Sequence, residues 1–137
     1  MDFTERKWAL GGGPGEPPAI SPNWSQGIRV GPMIFTSGQA ALNEQGELVG
    51  ANDIRAQTKK TLENIGAVLK SLGASYGDVV KTTVWVKSYD DYAGMNEVYA
   101  TFFDEPRPPR ATVKSDLVPM FDDGFLVEIE AIAIVSE

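Results

Sequence analysis

Arg110, Glu128 and Glu130 are the residues of this chain whose types could do chemistry together. An arginine fork binds a carboxylate through two parallel hydrogen bonds, and a glutamate mounted on a strand can orient or deprotonate a water. Arg110 paired with Glu128 or Glu130 could therefore hold an organic acid and hydrate it. The same residues could equally form a salt bridge between neighbouring strands, and spacing alone leaves both readings open. The field is narrow because the chain holds no cysteine and no histidine. Disulfides, thiolate nucleophiles, Cys/His zinc sites and imidazole bases are thereby excluded from it. Chemistry must rest on carboxylates, Arg, Lys, hydroxyls, backbone groups or bound water.

Three prolines in Pro106-Arg107-Pro108-Pro109 force an extended approach to Arg110-Ala111-Thr112-Val113, because each fixes its own backbone and biases its predecessor away from helix. Arg110 is thus expected at the mouth of a strand. Residues Phe125 to Val135 alternate along a long strand, with Val127, Ile129, Ala131 and Ala133 on one face. Leu126, Glu128, Glu130, Ile132 and Ile134 fall on the other, so two carboxylates share a face with large aliphatic side chains.

The remaining elements follow from period and punctuation. Ile28-Arg29-Val30 and Met33 to Ser37, separated by Gly31-Pro32, read as an antiparallel hairpin, and Asn43 to Glu47 as a turn before Leu48-Val49. From the Asn52-Asp53 cap, Ile54, Thr58, Leu62, Ile65, Leu69 and Leu72 recur every three or four residues, which predicts an amphipathic helix ending at Gly73. The charged residues between them read as its solvated face. Val79 to Val86 is a short β-branched run, a strand preceded by a turn at Asp78. Ser88 and Asp91 resemble a capping box for a second helix that stops before Pro106, with Tyr92, Met95, Tyr99, Phe102 and Phe103 as one apolar, core-facing stripe. Gly11 to Pro22, rich in Gly and Pro, reads as a surface loop; it lacks the strand, helix and Lys-Ser/Thr of a phosphate cradle.

This order fits an α+β domain, a mixed sheet with both helices packed on one face. At 137 residues with 42% hydrophobic content the chain makes a single domain, 1–137, in which residues 1–22 form a Gly/Pro-rich extension and loop. The bare sheet face needs covering, and self-association is the economical way to cover it. Nineteen acidic against twelve basic residues give a net charge of −7 with no basic run, which argues against nucleic acid as a partner. No stretch approaches the about 20 apolar residues of a membrane span, and no signal-peptide pattern opens the chain. A soluble, cytoplasmic protein without membrane partners is expected.

The run Arg110-Ala111-Thr112-Val113, then Leu117-Val118-Pro119, then Val127 to Ala133 resembles the signature of the Rid (YjgF) family. Ile34 to Gln39, Asp78 to Val86 and Met95 to Phe103 are similar to further family segments in family order, so that the likeness covers about residues 17–135. The resemblance implies a chorismate-mutase-like fold assembled as a homotrimer, with ligand clefts between subunits and no metal or organic cofactor. It implies hydrolysis of reactive 2-imino acids of the 2-iminobutanoate/2-iminopropanoate type, and of their enamines, to 2-oxo acids and ammonia. Within it Arg110 takes the place of the carboxylate clamp and Glu128, rather than Glu130, that of the water-orienting acid. Arg107 has no counterpart. Ser37, Gly38 and Asn96 match cleft residues, and Thr112 stands where some members have Cys and offers its main chain. Trp24 falls where the family's cleft Tyr is expected, a change that alters the pocket wall and removes a phenolic hydroxyl. Two alternatives follow from the same resemblance: deamination of a larger catabolic enamine, aminomuconate- or aminoacrylate-like, or a non-catalytic small-ligand-binding or chaperone-like role. The ribonuclease label of some relatives is disfavoured by the acidic charge and the absence of histidine.

Overall fold

The computed structural model describes residues 2–19, 21–117 and 124–136. Six strands form one sheet: β1 (Arg6–Ala9), β2 (Gly27–Val30), β3 (Met33–Thr36), β4 (Val79–Val86), β5 (Arg110–Lys114) and β6 (Val127–Ile134), in the spatial order β1-β2-β3-β6-β4-β5. Only β4 and β5 run parallel; the other neighbours are antiparallel. The expected mixed sheet is present. The reading of residues 1–22 as extension and loop missed β1, an edge strand whose Trp8 lies opposite Ile28.

Helix α1 (Ile54–Ser71) forms where the three-to-four spacing placed it, and Ile54, Thr58, Leu62, Ile65, Leu69 and Leu72 are all buried. Asp53 caps it by accepting from the Ala56 amide at 3.1 Å. Helix α2 (Tyr92–Tyr99) begins later than expected. Ser88 caps a short 3-10 turn, Tyr89–Asp91, by accepting from the Asp90 amide, and Asp91 makes no side-chain capping bond. The expected single stripe on this helix also divides: Met95, Tyr99 and Phe103 enter the core, whereas Tyr92 is 43% exposed. Of the Leu117-Val118-Pro119 motif, Val118 and Pro119 lie outside the described residues.

Both helices cover one sheet face. Leu62, Ile65 and Leu69 of α1 and Met95 and Tyr99 of α2 share a core with Ile34, Val84 and the inward set Val127, Ile129, Ala131 and Ala133 of β6. An exposed pair, Arg55 with Glu97 at 2.7 Å, joins the helices on the outside and contributes little. The opposite sheet face is bare, with the apolar side chains of Trp8 (57%), Phe35 (37%) and Ile134 (44%) exposed on it beside Glu128 and Glu130. Among the described residues, no helix is long and apolar enough to cross a membrane.

One buried side chain ties α1 to the strand that carries the glutamates. Gln57 donates to the carbonyls of Gly50 (3.0 Å) and Gly124 (2.7 Å) and accepts from the Leu126 amide (2.8 Å). Leucine at this position would fill the space but leave the Gly124 carbonyl and the Leu126 amide without this partner, while the Gly50 carbonyl keeps the Asp53 amide. Gln57→Leu is expected to lower unfolding free energy by about 2–4 kcal/mol in chemical denaturation at fixed protein concentration. A loss below about 0.5 kcal/mol, the size of a neutral surface change, would show the clamp to be dispensable.

Candidate active site

Arg110 is the first residue of β5 and stands opposite Thr82 of β4, with the Pro109 carbonyl accepting from the Thr82 amide at 3.1 Å. The prolines before it deliver the strand in extended form, as the sequence implies. Its guanidinium lies 4.7 Å from the centroid of the Tyr99 ring and 5.9 Å from that of Tyr92. Nη1 faces the Met95 sulfur at 3.9 Å and Nη2 the Tyr92 hydroxyl at 3.5 Å. Tyr99 is itself held by a 2.6 Å hydrogen bond between its hydroxyl and that of Thr82. Aromatic faces thus fix the cation without neutralising it. Among the described residues no carboxylate comes within ion-pair distance of Arg110. The guanidinium borders a cleft of ≈ 290 Å³ lined by Asn96, Tyr99, Ala100, Arg107, Pro108 and Arg110.

Asn96 and Tyr92 sit one turn apart on α2 and act on each other. A hydrogen bond from Asn96 and the positive charge of Arg110 hold the Tyr92 phenol below its ordinary pKa. Tyr92 is the site residue that sequence reasoning missed. The signal was its place four residues before Asn96, which puts both on one helix face. Thr112 is two residues along β5 from Arg110, on the same side of the strand.

Glu128 is elsewhere. On β6 it pairs with Trp85 and Glu130 pairs with Thr83, whereas Arg110 lies opposite Thr82, the cross-strand partner of Ala131. Thr82 and Ala131 are buried beneath the helices. Strand alternation therefore puts Arg110 on the helix side of the sheet and both glutamates on the other, with β4 between the two strands. The expected pairing of Arg110 with Glu128 or Glu130, as site or as salt bridge, does not occur within one chain. β5 and β6 are not neighbours, which residue spacing could not reveal.

Around Glu128 a second cluster forms. Gln39 and Ile129 exchange backbone hydrogen bonds of 2.8 and 3.0 Å, which lays Ser37 and Gly38 along the start of β6. Gly38 is in van der Waals contact with the glutamate, and a methyl group there would collide with Glu128 Oε1. The Ser37 amide donates to the Gln26 carbonyl at 2.8 Å and its hydroxyl to the Ser25 carbonyl. This anchors the segment carrying Trp24, a residue 41% exposed. Burial, with a smaller contribution from the charge of Glu130, pushes the Glu128 carboxyl above its ordinary value. A carboxylate so raised is a better proton acceptor than one free in water.

The predicted site residues thus fall into two groups on opposite sides of the sheet. Arg110, Asn96 and Thr112, joined by Tyr92 and Tyr99, offer a positive cleft. Ser37, Gly38, Glu128 and the neighbouring Trp24 offer a proton acceptor in a partly dry setting.

Comparison with known proteins identifies the family. The family described as Endoribonuclease L-PSP matches residues 15–135. A RutC family protein of Pyrococcus abyssi is 47% identical over 118 residues, 85% of this chain and 89% of the relative. The 2-iminobutanoate/2-iminopropanoate deaminase of Salmonella typhimurium is 40% identical over 121 residues, 86% of this chain and 91% of that protein. Among solved structures, TdcF of Escherichia coli with bound serine superposes with a TM-score of 0.78 at 40% identity, covering 89% of this chain and 94% of that one. A structure from Thermotoga maritima described as a putative endoribonuclease reaches 0.84 at 38% identity, covering 96% and 98%. Over nearly its whole length, in sequence and in fold alike, the chain belongs to the Rid (YjgF) family.

Proposed function

We propose that the protein is a hydrolytic deaminase of reactive 2-imino acids and their enamine tautomers, of the 2-iminobutanoate/2-iminopropanoate type. The observation that carries this reading is Arg110, a fixed guanidinium facing a small cleft with no carboxylate partner among the described residues. A cation so placed suits a substrate carboxylate, bound in two-point fashion. The homologues named as imine deaminases support the same chemistry.

An imine carbon is electrophilic once its nitrogen is protonated, so the protein need only fix the acid and deliver water to one face. Glu128 takes a proton from the water as its oxygen bonds to carbon and the C=N pair withdraws to nitrogen. It then returns that proton to nitrogen, the C–N bond breaks, and ammonia leaves as the hydroxyl gives its own proton to Glu128 and closes to a carbonyl. Ser37 and the Gly38 backbone frame the attacked face. No metal or organic cofactor enters this scheme. RNA cleavage finds less support, since the chain has no histidine and a net charge of −7.

Because Arg110 and Glu128 lie on opposite sides of one sheet, the complete site forms between two copies, each supplying one half. The bare apolar face bearing Trp8, Phe35 and Ile134 gives the copies a surface to share, and a closed trimer makes every such cleft equivalent. The exposed Trp24 ring in the Glu128 half favours one second reading, a larger enamine as substrate.

In a coupled assay, 2-iminobutanoate generated by a threonine dehydratase and trapped with semicarbazide is expected to disappear faster with the protein present. Arg110→Ala should lose more than about 10²-fold of that acceleration while keeping its circular dichroism spectrum, as removal of a two-point carboxylate clamp predicts. Wild-type turnover in the variant would end the clamp assignment.

Glu128→Gln should slow hydrolysis by about 10²- to 10⁴-fold. In the wild type the acid limb of kcat/KM should follow the ionisation of Glu128, which burial holds above its ordinary value in the separate chain. The same shift sets a stability trend. From 4.5, the ordinary glutamate value, up to the raised pKa the folded state holds a proton that the unfolded state has released, so stability falls as pH rises through that window. The glutamine variant should therefore be the more stable protein at neutral pH, with its advantage fading as pH falls to 4.5. An activity profile without an acid limb would contradict the role of Glu128 as proton acceptor, and a variant less stable at neutral pH the role given to burial.

Shared sites make complementation possible. Arg110→Ala and Glu128→Gln, each inactive alone, should regain activity when unfolded and refolded together, because some interfaces then join an intact Arg110 to an intact Glu128. Mixed assemblies with no recovery would mean that Arg110 and Glu128 do not serve a common site.

A further inference from the structure

The cleft in front of Arg110 is lined by a second guanidinium, that of Arg107. Pro108 and Pro109 separate the two, and proline fixes φ near the polyproline value, where residues three apart project to the same side roughly 9 Å from each other. The two arginines therefore reach one cavity because of the prolines between them. Arg107 is not committed to a buried structural role. Nη2 donates to the Ala100 carbonyl at 3.2 Å, and Nη1 pairs at 3.0 Å with Glu105, whose side chain is 81% exposed. A pair so open to water is weak and exchanges readily for a carboxylate brought by a ligand. Glu97, on α2 itself, is taken by Arg55. Asn96 and Tyr99 complete the lining with further polar reach.

A substrate with a single carboxylate needs only Arg110 and leaves Arg107 without a use in the cleft. We propose that Arg107 is a second anion-binding group, and that the preferred substrates are 2-imino acids bearing a second carboxylate. Arg110 holds the carboxylate beside the imine carbon, and Arg107 holds the distal one in exchange for Glu105. This rests on the reading of the cleft as an imino-acid site and narrows its substrate class to dianions. The cavity of ≈ 290 Å³ is at the small end of ligand sites and suits a short metabolite chain. The reaction that supplies such a substrate must form an imine or enamine on a dicarboxylic acid.

The test uses stable 2-oxo acids of equal chain length as product mimics, with binding measured by titration calorimetry on the assembled protein. 2-Oxoglutarate is expected to bind about tenfold more tightly than 2-oxopentanoate, the difference that a charge-assisted contact supplies. Arg107→Gln should bring that ratio close to one, and Arg107→Lys should retain part of it. Since the readout is a ratio, a variant that merely loosens the end of α2 weakens both ligands and leaves it unmoved. A wild-type ratio near one, or a ratio that survives Arg107→Gln, overturns the assignment of Arg107 while the single-carboxylate reading stands. If the wild type binds neither acid, the reading of the cleft itself fails, and this inference with it.

Discussion

A β-strand turns its side chains to alternate faces, and in this protein that alternation runs in register from β5 through β4 to β6 between Thr82 and Val86. Thr82 stands between Arg110 and Ala131, and Trp85 between Val113 and Glu128. A shift of one residue in either pairing would bring cation and carboxylates to the same face. The register is held by burial: Val84, Ile129, Ala131 and Val127 have no other place to go than beneath the helices. The core thus sends Arg110 toward α2 and Glu128 toward the bare face. Separation of the two groups is a consequence of packing, and it keeps them from neutralising each other within one chain.

Each half is then built at some cost in stability. Arg110 gives up an ion pair and rests on the rings of Tyr99 and Tyr92, a setting that its weakly hydrated, planar guanidinium tolerates better than an ammonium could. Glu128 is pressed against Gly38 beside a second carboxylate, where ionisation is disfavoured. Neither arrangement helps the fold. Both leave a group ready for a partner the chain does not itself supply, which is how strained or unpaired groups come to mark functional sites.

How far the sequence revealed this depends on how much of each element is buried. Helix α1 and strand β6 were legible because most of their length touches the core, so period alone located Leu62 or Ile129 to the right face. β1 was not, since three of its four residues are exposed and an edge strand carries little pattern. Tyr92 was assigned to the core with its aromatic neighbours, yet the helix begins only there and its first residue points past the sheet edge to Arg110. Which strands lie side by side is a tertiary fact. Alternation along β6 was plain from Val127 to Ile134, but nothing in the spacing of Arg110 and Glu128 placed β4 between them. The assignment of Glu128 over Glu130 came from resemblance, and the contact with Gly38 supplies its physical content.

The charge of the chain gives the cleft its selectivity. With a net charge of −7 the surface as a whole repels small anions, and any substrate carboxylate must find a local exception. The ion pairs around α2 show how one is made. Glu97 is drawn away by Arg55 and Glu105 is held only by an exposed contact with Arg107, while Arg110 faces the cavity with no acid beside it among the described residues. Field lines from a positive spot flanked by the low-dielectric walls of Tyr99 and Pro108 are focused into the cleft instead of spreading through solvent. An acidic protein with a positive recess at Arg110 disfavours anions over the rest of its surface, so that an acid arriving at the protein is steered to the place where Arg110 waits for it.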